Sequence, residues 1–337
     1  MPPYQFRILD LRGQDAETVK AQLKDVRDRM SHQILPSDKF PLFDIQATLL
    51  DDGRSRIHVS LDALIFDGWS IAITYKEWAA LYHNPETQLE PLEISFRDYV
   101  LAERSLVNSE EYKRSQDYWR KRIDSLPLGP DLPLAKQPSA LTSGKFLRQE
   151  GVVEAPIWQR VKAQATKLGI TGPGILAAAY AEVLALWSKE RHFCINVPSF
   201  NRLPLHPQVN RLIGESASFT VLEVDNTGDA SFAERAQRLQ AQLWSDIDHR
   251  FFNGVEVLRE FALSQNRLSG SLMPVVFTAI PADETGHSTY ATAQAEALGE
   301  VVFAINQTSQ VWLDNHVFEH NGALYCHWDT VEELFPE

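Results

Sequence analysis

Cysteine is scarce in this chain of 337 residues, which holds only Cys194 and Cys326. They stand far apart in stretches that read as strands, so buried thiols are expected rather than a disulfide. Basic residues are also in the minority. Lysine and arginine number 32 against 45 aspartates and glutamates, a net charge of −13. That argues against a nucleic-acid surface, because phosphate neutralisation needs clustered cations. No apolar run approaches membrane-spanning length, and the opening Met1-Pro2-Pro3-Tyr4-Gln5-Phe6-Arg7 lacks the apolar stretch of a signal peptide. A cytoplasmic protein without a membrane partner is the expectation. Internal repeats and low-complexity runs are missing too.

Several signatures of enzyme chemistry are also lacking. No serine lies on a GxSxG elbow. Gly169-Ile170-Thr171-Gly172-Pro173-Gly174 has no P-loop lysine and reads as a helix entry. His316 and His320, with Asp314 and His327 nearby, invite a metal reading. Their His-Val-Phe-Glu-His spacing misplaces Glu319 for the HExxH helix of a metalloprotease, and Val317, Phe318 and Tyr325 suggest strands, so no metal is expected.

With 44% of its residues apolar and 23% charged, the chain can bury a substantial core, as two modest lobes or one large domain. Apolar periodicity predicts helices over 16–34, from Ser70 to about 84, over 96–106 and over 110–123, with strands over 42–50 and 55–62. Residues 126–138 follow. Pro127, Pro130, Pro133 and Pro138 exclude a helix there, and their fixed φ favours a stiff, extended connection. Beyond it the pattern predicts strands over 146–153, 192–198, 217–224, 273–279, 300–305 and 323–328, and helices over 155–168, 173–188, 231–249 and 254–264. Strands separated by helices without regular βαβ alternation give an α+β class in two lobes, divided here into 1–138 and 139–337.

The most telling segment is Asp62-Ala63-Leu64-Ile65-Phe66-Asp67-Gly68-Trp69-Ser70. Upstream, Ile57, Val59 and Leu61 alternate with His58, Ser60 and Asp62, the period of a half-buried strand. Downstream, Ile71, Tyr75, Trp78, Leu81 and Tyr82 recur at helical spacing, and Ser70 is the expected N-cap. The spacing of Asp62 and Asp67 does not bring them face to face in a strand or a helix, so a carboxylate pair sharing a proton is not expected.

This DxxxxDxxS run resembles the heterocyclisation domain of nonribosomal peptide synthetases, a branch of the condensation-domain superfamily. Ordinary condensation domains carry two adjacent histidines where Asp62 and Ala63 stand. The resemblance covers almost the whole chain. Residues 126–138 fit LPxxPxLPLxxxP; Thr171, Leu176, Val183, Leu184 and Trp187 fit the next motif. Pro274-Val275-Val276-Phe277-Thr278 fits PVVFT, and Gln307 to Asp314 fits QTPQVxLD with Ser309 in place of proline. Trp328-Asp329 supplies a closing WD. Two departures stand out. The family's GDFTS is Gly214-Glu215-Ser216-Ala217-Ser218 here, and the family opens with a strand and helices ahead of the segment that resembles Pro3-to-Arg12. The resemblance therefore implies a chloramphenicol-acetyltransferase-like condensation fold in two lobes, with the first lobe incomplete and self-association expected.

It also implies a reaction. An acyl group and a Cys, Ser or Thr, each tethered to a carrier protein through phosphopantetheine, would be condensed and cyclodehydrated to a thiazoline or oxazoline, with no cofactor of the domain's own. Two alternatives stay open: a non-catalytic module that docks carriers or complements another synthetase, and amide condensation only. Acyl transfer of the chloramphenicol-acetyltransferase type is disfavoured, because Ala63 occupies the general-base position. In ring closure a tetrahedral adduct loses its hydroxyl as water while its nitrogen loses a proton, which calls for a placed donor and acceptor. The resemblance assigns Asp314 to that role and Thr278 to its support. An aspartate is a poor acid at neutral pH unless burial favours its protonated form, and Val311, Trp312 and Leu313 would supply apolar surroundings. On an extended segment Gln310 faces the same side as Asp314 and would hold it. Asp62 is a further supporting candidate. Asp67 is implied to be a structural ion-pair partner, with Arg202 as its expected mate.

Overall fold

A computed structural model of the chain describes residues 3–266, 270–280 and 295–335. It opens with β1 (Arg7–Asp10), followed by helix α1 (Ala16–Ser31), β2 (Phe43–Leu49) and β3 (Ser55–Leu61). The three strands form one sheet in the order β1-β2-β3, with Ile8 opposite Ala47 in a parallel pair and Ala47 opposite Ile57 in an antiparallel one. Asp15 caps α1 by accepting the Thr18 N–H.

The faces of this sheet are the reverse of what the Ile57-Val59-Leu61 alternation suggests. Asp44, Gln46 and Thr48 are the buried side chains of β2, while Ile8 and Ile57 are 65% and 49% exposed. Each buried polar group has a partner. Arg29 of α1 donates to Gln46 at 2.8 Å, Arg7 pairs with Asp44 at 2.6 Å, and Thr48 meets His58 at 3.0 Å. A buried polar group that is hydrogen-bonded escapes most of its desolvation cost, so the polar face can lie under α1.

The chain continues through α2 (Gly68–His83), α3 (Phe96–Ser105) and α4 (Glu110–Arg120). Ser95 and Asp98 form a reciprocal capping box on α3, and Ser109 caps α4. Most of α4 is charged, but Trp119 is buried and packs with Ile123, Leu126, Val221, Phe252 and Phe261. This helix therefore shares a core with residues far beyond 138. The proline-bearing stretch is also tied down: Gly129 N–H donates to Leu272, Cys194 N–H to Leu128 and Ala135 N–H to Leu334.

The remaining elements are β4 (Phe146–Val153), α5 (Ala155–Lys167), α6 (Gly172–Trp187), β5 (His192–Phe200), β6 (Ala217–Asp225), α7 (Phe232–Asp248), α8 (Gly254–Ser264), β7 (Val275–Ile280), β8 (Leu313–His320) and β9 (Ala323–Val331). Six strands form a mixed sheet in the order β4-β9-β8-β7-β5-β6. Ala177, Tyr180, Ala181 and Leu184 of α6 pack on Phe193, Ile195, Leu222, Phe277 and Leu313 to make its main core. The architecture is a mixed α+β fold. Residues 300–305, expected as a strand, are not one; the strand lies at Leu313–His320. Val302 and Phe303 have strand-favouring side chains but are 52% and 45% exposed, and β8 already pairs on both sides, with β7 and β9. Pairing overrides propensity.

Cys194 and Cys326 are free thiols. No single helix among the described residues is long and apolar enough to cross a membrane; α5 and α6 qualify jointly on composition but meet at a bend of 99°, and α6 is committed to the core.

Ile8, Ala47 and Ile57 form a cross-strand apolar row on the first sheet, with Phe6 59% exposed beside it. Contiguous apolar surface of this kind favours association. Analytical ultracentrifugation at micromolar concentration is expected to give a mass above the monomer, returning to the monomer in an Ile8→Lys, Ile57→Lys variant. A monomeric parent chain would show that the row is tolerated in water.

Candidate functional site

The first cluster grows from the turn between β3 and α2. The Asp62 side chain accepts the Leu64 N–H at 2.9 Å, and its carbonyl accepts the Ile65 and Phe66 N–H groups. Asp67, not Ser70, is the N-cap of α2. It has extended backbone angles, and its Oδ1 accepts the Ser70 N–H at 2.6 Å. A carboxylate is favoured at this position over a hydroxyl further along, because it meets both the free N–H groups and the positive end of the helix dipole. Ser70 is left to reach across the fold. Its hydroxyl donates to the Gly214 carbonyl at 2.9 Å and accepts from the Gly214 N–H at 3.0 Å and from Arg202 at 2.9 Å.

Arg202 donates to both Asp67 oxygens, at 2.8 and 2.9 Å, and to the carbonyls of Val209 and Leu212. Ser216 Oγ donates to Asp67 Oδ2 at 2.6 Å. The side chains of Arg202 and Asp67 are only 5% and 0% exposed. Burial by itself pushes the Asp67 carboxyl up, but hydrogen bonds from Ser216, Ser70 and Arg202 outweigh it and hold the group below its ordinary value. Gly214 is required here, since a Cβ would lie 2.2 Å from the Phe96 ring. Next to it, burial and the Asp67 charge push the Glu215 carboxyl up to about 7.

The second cluster lies on the six-stranded sheet. Parallel pairing of β7 with β8 sets Val276 opposite Asp314 and Thr278 opposite His316, so Thr278, Asp314 and His316 share one face. Thr278 Oγ1 lies 3.5 Å from Asp314 Oδ1, long for an O–H···O bond. His316 Nε2 lies 2.9 Å from Asp314 Oδ2. Both residues are buried. On the other side, β9 places Asp329 opposite Asp314 and His327 opposite His316. Arg148 of β4 grips both Asp329 oxygens, at 2.7 and 2.6 Å. Burial, with the charges of Arg148 and His316, brings His327 down to about 4, so it is neutral at pH 7. Among the described residues no three His, Cys, Asp or Glu side chains are grouped so as to hold a metal ion.

Gln310 does not hold Asp314. The backbone turns at Thr308–Val311, Gln310 takes a positive φ of 65° and is exposed, and its carbonyl accepts the Ser271 hydroxyl at 2.5 Å. The extended run on which the same-side expectation depended starts only at Leu313.

Residues 2–337 match the Condensation domain family. The chain belongs to the condensation-domain family. It is 36% identical over 325 residues to pyochelin synthetase PchF of Pseudomonas aeruginosa, an alignment that covers 96% of this chain and 18% of the relative. It is 35% identical over 329 residues to phenyloxazoline synthase MbtB of Mycobacterium sp., covering 98% and 27%. The EpoB cyclization-docking bidomain from Sorangium cellulosum superposes with a TM-score of 0.89 at 38% identity, over 100% of this chain and 67% of that one. The chain spans only the 18% and 27% shares of the two curated relatives.

Within this condensation domain, the structure brings Asp67, Arg202 and Ser70 into one cluster and Thr278 and Asp314 into another. Asp62 and Gln310 join neither set of bonds. Sequence reasoning missed Ser216 and His316. Ser216 is 149 positions from the carboxylate it binds, and nothing local signals that contact. His316 had a usable signal: two residues beyond Asp314 on a strand is the same face.

Asp67→Ala would leave Arg202 buried without its carboxylate, and each of Asp67→Ala and Arg202→Ala is expected to cost roughly 3–5 kcal/mol. The double variant should lose less than the sum. Denaturant titrations of the four proteins check this, and additive losses would disconnect the pair. Glu215 gives a pH test. Its carboxyl is raised from 4.5 to about 7 on folding, so folding favours its protonated form. The penalty on the wild type is absent below the lower value, grows between the two and is complete above the upper one. Glu215→Gln should therefore be more stable than wild type at pH 8, by on the order of 1 kcal/mol after discounting for solvent screening, and equal to it at pH 4.

Proposed function

We propose that the chain is a heterocyclisation domain: it joins an acyl group on one carrier protein to a Cys, Ser or Thr on another and closes the product to a thiazoline or oxazoline. The observation that carries this reading is the approach of the half-buried Thr278 to the buried Asp314 across neighbouring strands β7 and β8, in a chain where Asp62 and Ala63 stand in place of paired histidines. Likeness to the EpoB cyclization-docking bidomain supports it. The reading includes two lobes, 1–138 and 139–337, between which the phosphopantetheine arms of the carriers deliver their substrates. It requires no cofactor of the domain's own, and it places the work in the cytoplasm, where Cys194 and Cys326 stay reduced.

Amide formation needs the two carriers' substrates held close, since attack of an amine on a thioester is driven mainly by proximity. Ring closure needs more. The side-chain thiol or hydroxyl adds to the amide carbonyl, and the adduct's hydroxyl then leaves as water while the nitrogen gives up its proton. In this reading Asp314 gives the first proton and accepts the second. Thr278 orients the carboxylate or the adduct, because a hydroxyl directs a bond rather than titrating.

Mass spectrometry of carrier-bound products tests this. The wild type is expected to give a product one water lighter than the amide. Asp314→Asn should slow ring closure by about 100-fold or more while amide still forms, and Thr278→Val should act the same way more weakly. Full cyclisation by Asp314→Asn would overturn the assignment. Amide without ring from the wild type would point to condensation only, and no turnover to a carrier-docking module.

A further inference from the structure

We infer that His316 is a positioning residue for ring closure: it shares a proton with Asp314, so that the carboxylate–imidazole pair, rather than a lone carboxylate, performs the proton transfers. This rests on the heterocyclisation reading and adds a residue which that reading leaves unused. The two oxygens of Asp314 have different neighbours. Oδ1 faces Thr278, whereas Oδ2 lies 2.9 Å from His316 Nε2. The Oδ2 contact is thus the closer and the better suited to pass a proton. Asp314 and His316 are two positions apart on β8, and that strand is paired with β7 on one side and β9 on the other, so neither side chain can swing to the opposite face.

The surroundings favour a shared proton. Thr278 approaches from β7. His327 and Asp329 lie opposite on β9, and Arg148 and Glu150 stand on β4 behind them. Arg148 is engaged by Asp329 at 2.6 and 2.7 Å, and Glu150 lies 3.7 Å from His327 and is 62% exposed. Ahead of β8, Asn306 Nδ2 comes within 3.3 Å of His316 Nε2. His327, neutral at pH 7, puts no like charge beside His316, and the Phe318 ring lies edge-on to His327, with centroids 5.0 Å apart. In a setting this dry the attraction between carboxylate and imidazole is much stronger than in water.

The proton count closes. The adduct's hydroxyl takes a proton from the pair, and the C–O bond breaks with its electrons to release water. The N–H electrons form the C=N bond, and that proton returns to the pair. One proton is given and one is taken, and nothing is oxidised or reduced.

His316→Gln keeps a hydrogen-bond donor of similar reach but cannot carry the proton. The rate of ring closure relative to amide formation is expected to fall about tenfold. A purely structural histidine would be rescued by glutamine, so an unchanged ring-to-amide ratio would overturn the inference. A second measurement does not depend on turnover. In proton–nitrogen NMR of the full chain with labelled histidine, the His316 Nε2–H signal should be assigned by its loss in His316→Gln and should shift in Asp314→Asn. A signal that ignores Asp314→Asn overturns the inference. If the wild type forms no ring at any pH, the heterocyclisation reading fails on its own, and the NMR result still decides whether the two side chains share a proton.

Discussion

The buried Asp67–Arg202 pair is the interaction on which the arrangement depends. One carboxylate caps α2, receives the Arg202 guanidinium on both oxygens and accepts the Ser216 hydroxyl. Arg202 also donates to Ser70 and to the carbonyls of Val209 and Leu212. A turn from the first sheet is thereby joined to the loop between β5 and β6 of the second. The desolvation cost of two buried charges is large, and the pair's net contribution to stability is correspondingly modest. Its value is geometric, since neither segment can shift without stranding a charge.

The second sheet imposes a different constraint. Its centre, β7-β8-β9, is paired on every side, and the polar residues on one face are therefore fixed by register rather than by loops. Asp314 and His316 sit together there, with Arg148–Asp329 beside them and a neutral His327 opposite. Sites built on paired strands hold their groups more tightly than sites on loops. Proton transfer depends on such placement, because the donor must lie within hydrogen-bond reach of the atom it serves.

Much of this was legible in the sequence where local pattern and tertiary partner agree. The helices over 155–168, 173–188, 231–249 and 254–264 carried their own apolar residues, the last three with a side-chain N-cap as well, and appear within a few residues of those bounds. Where partner and pattern disagree, the sequence misled. Ile57 alternated as a core residue should, yet the side chains buried beneath α1 are polar, because Arg29 and Arg7 satisfy Gln46 and Asp44. Val301-Val302-Phe303 read as a strand, but β8 had no free edge for them. Ser70 looked like a cap until Asp67 took that position. Gln310 was set beside Asp314 by a period that the turn at 308–311 interrupts.

The altered segment Gly214-Glu215-Ser216 shows how a departure from a family pattern can be absorbed. Ser216 turns a position that is aromatic in the family into a donor for Asp67, at 2.6 Å. Glu215, one residue earlier, lies near enough to Asp67 to feel its charge. Two carboxyls in one partly dry site separate when only one of them is well supplied with donors. Asp67, with Arg202, Ser70 and Ser216, is held below its ordinary value. Among the described residues Glu215 accepts a hydrogen bond only from the Ala217 N–H, and it is pushed up to about 7. The asymmetry follows from the donors and not from the residue types. It keeps the charge on Asp67, where the helix dipole and the guanidinium stabilise it, and leaves Glu215 as the group that responds to pH.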